Sequence, residues 1–173
     1  LLNVTSCKIT FAAANQVVSL GTSAITVPDT FTVRKNVTVD IVGASTTVTQ
    51  STHGQRAFII VDSVYDTYPD STEPKNYGIH VRFTNITFSD IGDRSSASAA
   101  VSNAGTDGVG VYASHLRSLV FSDCVFYRNS GRLGSGVYAE NATYLLLDSC
   151  EFVGNDAVSG GGAFLRHVEN VDV

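Results

Sequence analysis

The stretch that decides the fold is GVYASHLRSLVFSDCVF, residues 110–126, because GVYAENATYLLLDSCEF, residues 136–152, repeats it 26 positions later. The two copies align without a gap, and the same offset carries Asn129 onto Asn155. A third copy starts at Gly162. Self-similarity at a period of about 20–50 residues is the signature of repeat architectures. The chain is therefore expected to stack units of one kind.

The repeating unit is a set of short strands. Apolar and polar residues alternate within each copy, as at Val111 and Ala113, and no helical period runs through the alternation. An earlier copy, residues 83–88, matches residues 121–126 at an offset of 38, which leaves room for an inserted loop. Short strands at this spacing predict a β-solenoid whose equivalent residues stack about 4.8 Å apart.

Composition and charge limit the classes of function. The chain has 173 residues, of which 43% are apolar, with 15 Gly, 3 Pro and a net charge of −5. The acidic balance argues against a nucleic-acid partner, because phosphates are bound by basic surfaces. No apolar run approaches the roughly 20 residues of a membrane span. One domain is predicted over residues 1–173, with a candidate N-terminal cap at 1–20 and loop insertions at 62–77 and 92–109. Since the first residue is Leu1, the chain is expected to be processed or part of a longer protein.

N-glycosylation motifs indicate the compartment. Four asparagines are followed two positions later by threonine, which is the accepted form of the motif. They predict N-linked glycans and hence a secreted, extracellular or cell-surface protein. The four asparagines are Asn3, Asn36, Asn85 and Asn141.

A longer motif carries a family resemblance. Cys-x-Phe-x-x-Asn followed by Gly-Gly-Ala reads as Cys150, Phe152, Asn155 and residues 161–163. From about residue 20 onward the chain resembles a right-handed parallel β-helix of the pectin-lyase-like superfamily. Its coils are similar to repeats of the polymorphic outer-membrane-protein type. The resemblance implies an all-β fold with loop insertions and coils of about 26 residues. It implies no single activity, because such coils occur in lyases, hydrolases, adhesins and structural proteins alike.

Three aromatic residues are predicted to form one outward stripe. Tyr112, Tyr138 and Phe164 occupy equivalent positions in the three copies. An exposed stripe of this kind could contact carbohydrate or another subunit. The alternative is ring stacking along the sheet, which stabilises the solenoid itself.

Two further pairs of residues at equivalent positions of the repeat are expected to stabilise the fold. Asn129 and Asn155 stack at a turn, where the amide of Asn155 is expected to bond turn backbone and the next asparagine. Cys124 and Cys150 share an inward position, and they are expected to be free thiols rather than a disulfide, although their spacing is within disulfide range. Cys7 could pair outside this segment.

Catalytic and metal sites find little support in the sequence. His115 and His167 fall about 10 Å apart, which is too far to ligate one metal ion. The acidic stretch at 62–73 could bind Ca²⁺ or sugar as a projecting loop, but no spacing rule supports it. No catalytic residue, no metal site and no cofactor is therefore predicted.

These observations favour a non-enzymatic extracellular glycoprotein, a structural β-helical building block of a surface filament, appendage or adhesin. Self-association or continuation of the same solenoid is expected at the coil ends, because a bare coil exposes strand edges and core. Carbohydrate is a further candidate partner. The alternatives are a polysaccharide lyase, a glycoside hydrolase, or a carbohydrate-binding β-helix.

Overall fold

A computed structural model provides the structure of the protein. It describes residues 6–11, 15, 17–20, 25–27, 36–50, 56–61, 78–92 and 107–173. The predicted loop at 62–77 and residues 93–106 of the second predicted loop lie outside the described residues.

The described residues form fourteen strands and no helix. The strands are β1 (Ser6–Thr10), β2 (Val17–Leu20), β3 (Ile25–Val27), β4 (Asn36–Gln50), β5 (Phe58–Val61), β6 (Gly78–Ser89), β7 (Val111–Ser114), β8 (Ser118–Ser122), β9 (Val125–Tyr127), β10 (Ser130–Leu133), β11 (Val137–Asp148), β12 (Glu151–Val153), β13 (Asp156–Ser159) and β14 (Ala163–Asp172). The predicted all-β class is confirmed for this part of the chain. In the described part, accordingly, no helix could cross a membrane.

Parallel pairing joins these strands. Twelve of the described strands form one large sheet that curls into a half-barrel, while β10 and β13 form a separate pair. The order along its main path is β1-β4-β6-β8-β11-β7-β5-β3, and β14 adds to β11. Within the region predicted as an N-terminal cap, β1 and β2 both pair in parallel with β4.

The register reproduces the sequence repeat. Val111 pairs with Val137, and Val137 pairs with Ala163, so partners occupy equivalent positions of successive repeats. Phe83 pairs with Phe121 at the upstream offset of 38. We call residues 110–135 the first repeat, 136–161 the second repeat and 162–173 the third repeat.

Left-handed residues mark the corners between strands. A single residue with positive φ turns the chain sharply, and asparagine, aspartate, histidine and glycine adopt this conformation more readily than other residues. Four corner positions recur at the interval of the sequence repeat. They are occupied by Gly108, Gly134 and Gly160; by His115, Asn141 and His167; by Asp123 and Ser149; and by Arg128 and Gly154.

Stacked phenylalanines fill the concave side of the sheet. Phe126 lies between Phe88 and Phe152, with near-parallel rings and centroid distances of 4.8 and 4.7 Å. Phe83 stacks on Phe121 at 5.0 Å. Four of these rings are fully buried and Phe152 is half-buried, since it belongs to the second repeat near the end of the stack.

Candidate functional site

The predicted aromatic stripe is a continuous stack of rings. Parallel pairing of β7, β11 and β14 brings Tyr112, Tyr138 and Phe164 into register. The ring centroids of Tyr112 and Tyr138 are 5.2 Å apart, and those of Tyr138 and Phe164 are 5.6 Å apart, with interplanar angles of 2° and 6°. The stripe is less exposed than the sequence suggests, because Tyr138 is only 5% exposed. Ring stacking therefore occupies most of the aromatic surface.

An arginine covers one end of this stack. The guanidinium carbon of Arg56 lies 4.1 Å from the ring centroid of Tyr112, within the range of a cation–π contact. Arg56 Nε donates to the carbonyl of Asp107 at 2.7 Å. Arg132 forms two hydrogen bonds to the Asp107 carboxylate, at 2.9 and 2.7 Å. Sequence reasoning missed Arg56 and Asp107, because neither belongs to the well-matched part of the repeat.

Glu140 gathers the hydroxyl groups beside the rings. Its carboxylate accepts hydrogen bonds from Tyr138 (2.8 Å), Tyr112 (3.1 Å) and Ser114 (3.3 Å). Burial raises the pKa of Glu140, but these donors and Arg166 outweigh it, so the pKa lies below its ordinary value. Glu140 is thus an ionised hydrogen-bond acceptor at neutral pH and not a general acid.

A histidine–asparagine column lies at the next corner. Asn141 Nδ2 lies 3.0 Å from His115 Nε2, and Asn141 Oδ1 lies 3.3 Å from His167 Nδ1. All three residues have positive φ. The two histidines therefore lie on either side of Asn141, the asparagine of a predicted glycosylation motif, and hydrogen-bond to its amide.

The other glycosylation asparagines occupy different surroundings. Asn85 lies at a positive-φ corner of β6 and is half-buried. Asn36 is the first residue of β4, and its side chain lies outside the described part. Asn3 is also outside the described residues. Glycosylation at the four positions stays a prediction.

The two asparagines of the predicted ladder form hydrogen bonds to backbone groups of the preceding part of the stack. Asn129 is fully buried; its Oδ1 accepts the N–H of Ile91 at 3.1 Å and its Nδ2 donates to the Phe88 carbonyl at 3.0 Å. Asn155 repeats the pattern, accepting the N–H of Asn129 at 3.0 Å and donating to Phe126 at 2.8 Å. The side-chain oxygen of Asn155 thus bonds to the backbone N–H of Asn129 and not to the Asn129 side chain.

A shallow depression of about 280 Å³ lies on the outward face of β4, β6 and β8. His80 Nδ1 is 2.8 Å from Ser118 Oγ inside it. Burial and, to a smaller extent, Arg117 lower the pKa of His80, which favours its neutral form. The depression is lined by Thr38, His80, Val81, Arg82, Ser118 and Val120.

Metal ligands do not cluster in the described part of the chain. Among those residues, no three His, Cys, Asp or Glu side chains are arranged to hold a metal ion. The acidic stretch at 62–73, which was considered for Ca²⁺, lies outside the described residues.

The third repeat exposes side chains whose counterparts are buried. Val171 is 41% exposed and Val173 is 96% exposed, whereas Leu145 and Leu147 of the second repeat are 0% and 9% exposed. Leu165 is 36% exposed against 0% for its partner Ala139. Among the described strands, β14 pairs only with β11. Among the described residues, apolar side chains of the third repeat are therefore more exposed than their counterparts in the second repeat.

Comparisons with known proteins find no counterpart: no family model, no curated protein and no solved structure matches the chain.

Proposed function

We propose that the chain is a non-enzymatic structural protein, a β-helical building block of an extracellular filament, appendage or adhesin. The observation that carries the proposal is the exposure of the apolar side chains Leu165, Val171 and Val173. We propose that a further coil covers them, supplied either by continuation of the same solenoid or by a second copy of the chain stacked head to tail.

The finer fold in this proposal is a right-handed parallel β-helix with one coil per repeat. Its support is twofold. Parallel partners through β7, β11 and β14 occupy equivalent positions of successive repeats, and the positive-φ corners recur at the same interval. A chain that turns at four corners and returns in register one strand spacing away describes one coil per repeat.

Two of the outer strands of the sheet support the arrangement in which separate copies stack head to tail. Among the described strands, β1 pairs only with β4 and β14 pairs only with β11, and every pairing is parallel. A contact between β14 of one copy and β1 of the next would extend the parallel ladder. Because this contact joins different surfaces of the two copies, it can be repeated without closing and gives an open filament.

The outward features agree with a structural role. Tyr112, Tyr138 and Phe164 stack on one another, and the ionised Glu140 accepts hydrogen bonds from both tyrosine hydroxyls. Stacked rings and cross-strand hydrogen bonds stabilise a sheet. The extracellular setting is supported by the four glycosylation motifs, of which Asn85 and Asn141 lie at corners of the described fold.

Light scattering on the purified chain over a range of concentrations, with electron microscopy of the same samples, tests the proposal. We expect concentration-dependent growth and elongated particles. Val171→Lys should abolish growth, because it places a charge among the exposed apolar side chains. Glu169→Lys is the matched control, since Glu169 lies on the same strand, is exposed and is not apolar.

A monomer at every concentration would contradict the stacking, as would equal assembly of the wild type and Val171→Lys. Clear turnover of pectin, alginate or a related polymer by the purified chain would instead support the lyase or hydrolase alternative. Secretion from eukaryotic cells followed by enzymatic removal of N-glycans tests glycosylation, and an unchanged mass after that treatment would contradict it.

A further inference from the structure

Cys124 and Cys150 face each other between adjacent repeats. Each follows a positive-φ corner residue, Asp123 or Ser149, and precedes a short strand. The pairing of Ser122 with Asp148 and of Val125 with Glu151 brackets them on both sides. Adjacent parallel strands lie about 4.8 Å apart, so the two Cα atoms fall within the range that a disulfide spans.

The two thiols differ in access and in acidity. Both are free; Cys124 is fully buried, and Cys150 is half-buried. The Cys124 thiol donates to the Ser122 carbonyl at 3.4 Å, and the Cys150 thiol lies 3.4 Å from the Asp148 carbonyl. The proximity of the two thiols lowers the pKa of Cys150 and, together with burial, raises the pKa of Cys124. Burial, Asp148 and Asp123 act in the opposite direction on Cys150 without reversing the shift. Cys150 is therefore the sulfur that ionises first and meets solvent.

We propose that Cys124 and Cys150 are a reactive dithiol that a small disulfide oxidant, such as oxidised glutathione, converts into a disulfide between the first and second repeats. The Cys150 thiolate attacks one sulfur of glutathione disulfide and releases one glutathione thiolate. That thiolate takes the proton of Cys124. The Cys124 sulfur then attacks Cys150, and the second glutathione leaves as a thiolate that solvent protonates. Two protein thiols are oxidised, and one glutathione disulfide is reduced to two glutathione molecules.

The second step requires a small backbone movement. Side chains at equivalent positions of parallel neighbours point the same way, so their Cβ atoms lie farther apart than the mean of about 3.8 Å in disulfides. Neither cysteine belongs to a strand, since Cys124 lies between β8 and β9 and Cys150 between β11 and β12. The corners that carry the cysteines, rather than the paired strands, accommodate this movement. A disulfide whose formation requires this backbone movement is strained and should be reduced readily.

The experiment uses the full chain with Cys7→Ser, in which Cys124 and Cys150 are the only thiols. After incubation with oxidised glutathione and alkylation of the remaining thiols, mass spectrometry should show the loss of two hydrogens, no alkylation, and a peptide linking Cys124 to Cys150. Adding Cys124→Ala should stop the reaction at a glutathione adduct on Cys150. Adding Cys150→Ser should leave Cys124 unmodified because it is buried.

Alkylation of both thiols after oxidation would overturn the proposal. So would a stable glutathione adduct on Cys150 when Cys124 is present, because it would show that the second step fails. Far-UV circular dichroism of each variant checks that the fold is retained, and alkylation of Cys124 only under denaturing conditions confirms its burial. The outcome is independent of filament formation, which is measured by light scattering.

Discussion

Asn155 accepts the backbone N–H of Asn129 through its side-chain oxygen at 3.0 Å, while its amide nitrogen donates to the carbonyl of Phe126 at 2.8 Å. One side chain thus satisfies two backbone groups of the preceding repeat at a corner where the sheet ladder is interrupted. Asn129 does the same for Ile91 and Phe88. The asparagine is in effect a hydrogen-bonded link between repeats.

Replacing Asn129 by alanine should destabilise the protein strongly. Asn129 is fully buried, so the Ile91 N–H and the Phe88 carbonyl would lose their partner without gaining water. Each buried group left unsatisfied costs about 1–3 kcal/mol, so for the two groups we expect a loss of about 2–6 kcal/mol in the free energy of unfolding. Urea denaturation measures it. Asn155→Ala is the matched control and should cost less, because Asn155 is half-buried. Equal costs would contradict the link between burial and stability.

In the phenylalanine stack, too, the loss of stability on substitution should be larger at the more buried residue. Phe126 is fully buried between two rings, and Phe126→Ala should cost about 3–5 kcal/mol through lost burial and the cavity left behind. Phe152→Ala should cost less, since Phe152 is half-buried. Thermal and urea unfolding of the two variants side by side provide the measurement. A larger loss for Phe152→Ala would show that Phe152 contributes more to stability than its exposure indicates.

Gly136 should not tolerate a side chain. A Cβ at this position would lie 2.5 Å from the Gly162 carbonyl oxygen and 3.1 Å from the Phe152 ring. Gly136→Ala should therefore cost about 1–3 kcal/mol, the usual cost of overpacking. Gly154→Asn is the control, because Gly154 has φ of +60°, a Cβ there meets only Arg128 at 3.6 Å, and asparagine tolerates left-handed backbone. Comparable stability of the two variants would argue against the close approach at Gly136.

Stability should fall at high pH because of Tyr138. Burial and the hydrogen bond to Glu140 raise the pKa of Tyr138 to about 12. In the unfolded chain a tyrosine titrates near pH 10, at about its ordinary pKa. Between these values the unfolded state loses the proton and the folded state keeps it, so the free energy of unfolding decreases as pH rises.

The decrease should be shallower in Tyr138→Phe, which has no hydroxyl to titrate. Urea denaturation across this pH window measures the slope, and ultraviolet titration follows tyrosinate formation directly. Glu140→Gln should bring the pKa of Tyr138 part of the way back, because burial remains the largest cause. Superimposable slopes for the wild type and Tyr138→Phe would be evidence against the buried position of this ring.

Much of the local structure could be predicted from the repeat. Alternation of apolar residues separated inward from outward positions, and the offset between the copies placed Val111, Val137 and Ala163 in one ladder, as the register shows. The upstream offset of 38 likewise paired Phe83 with Phe121. These relations follow from period-two geometry and parallel stacking, which are local properties of the chain.

The candidate site was less predictable, because its features depend on segments distant in sequence. Alternation indicates that Tyr138 points outward, but it does not indicate that the ring is 5% exposed and that Asp107 and Arg56 lie along the same stack. The distances that join Asn141 to His115 and His167 also depend on side-chain orientation at the corners.

The sequence by itself determined the strand content, the spacing of the repeats and the residues that share a ladder. The tertiary structure alone decided which outward side chains are covered, which thiol meets solvent, and which apolar side chains are left exposed in the third repeat. The physical reason is that inward or outward orientation follows from the backbone period, whereas burial and hydrogen bonding depend on what packs over a residue in three dimensions.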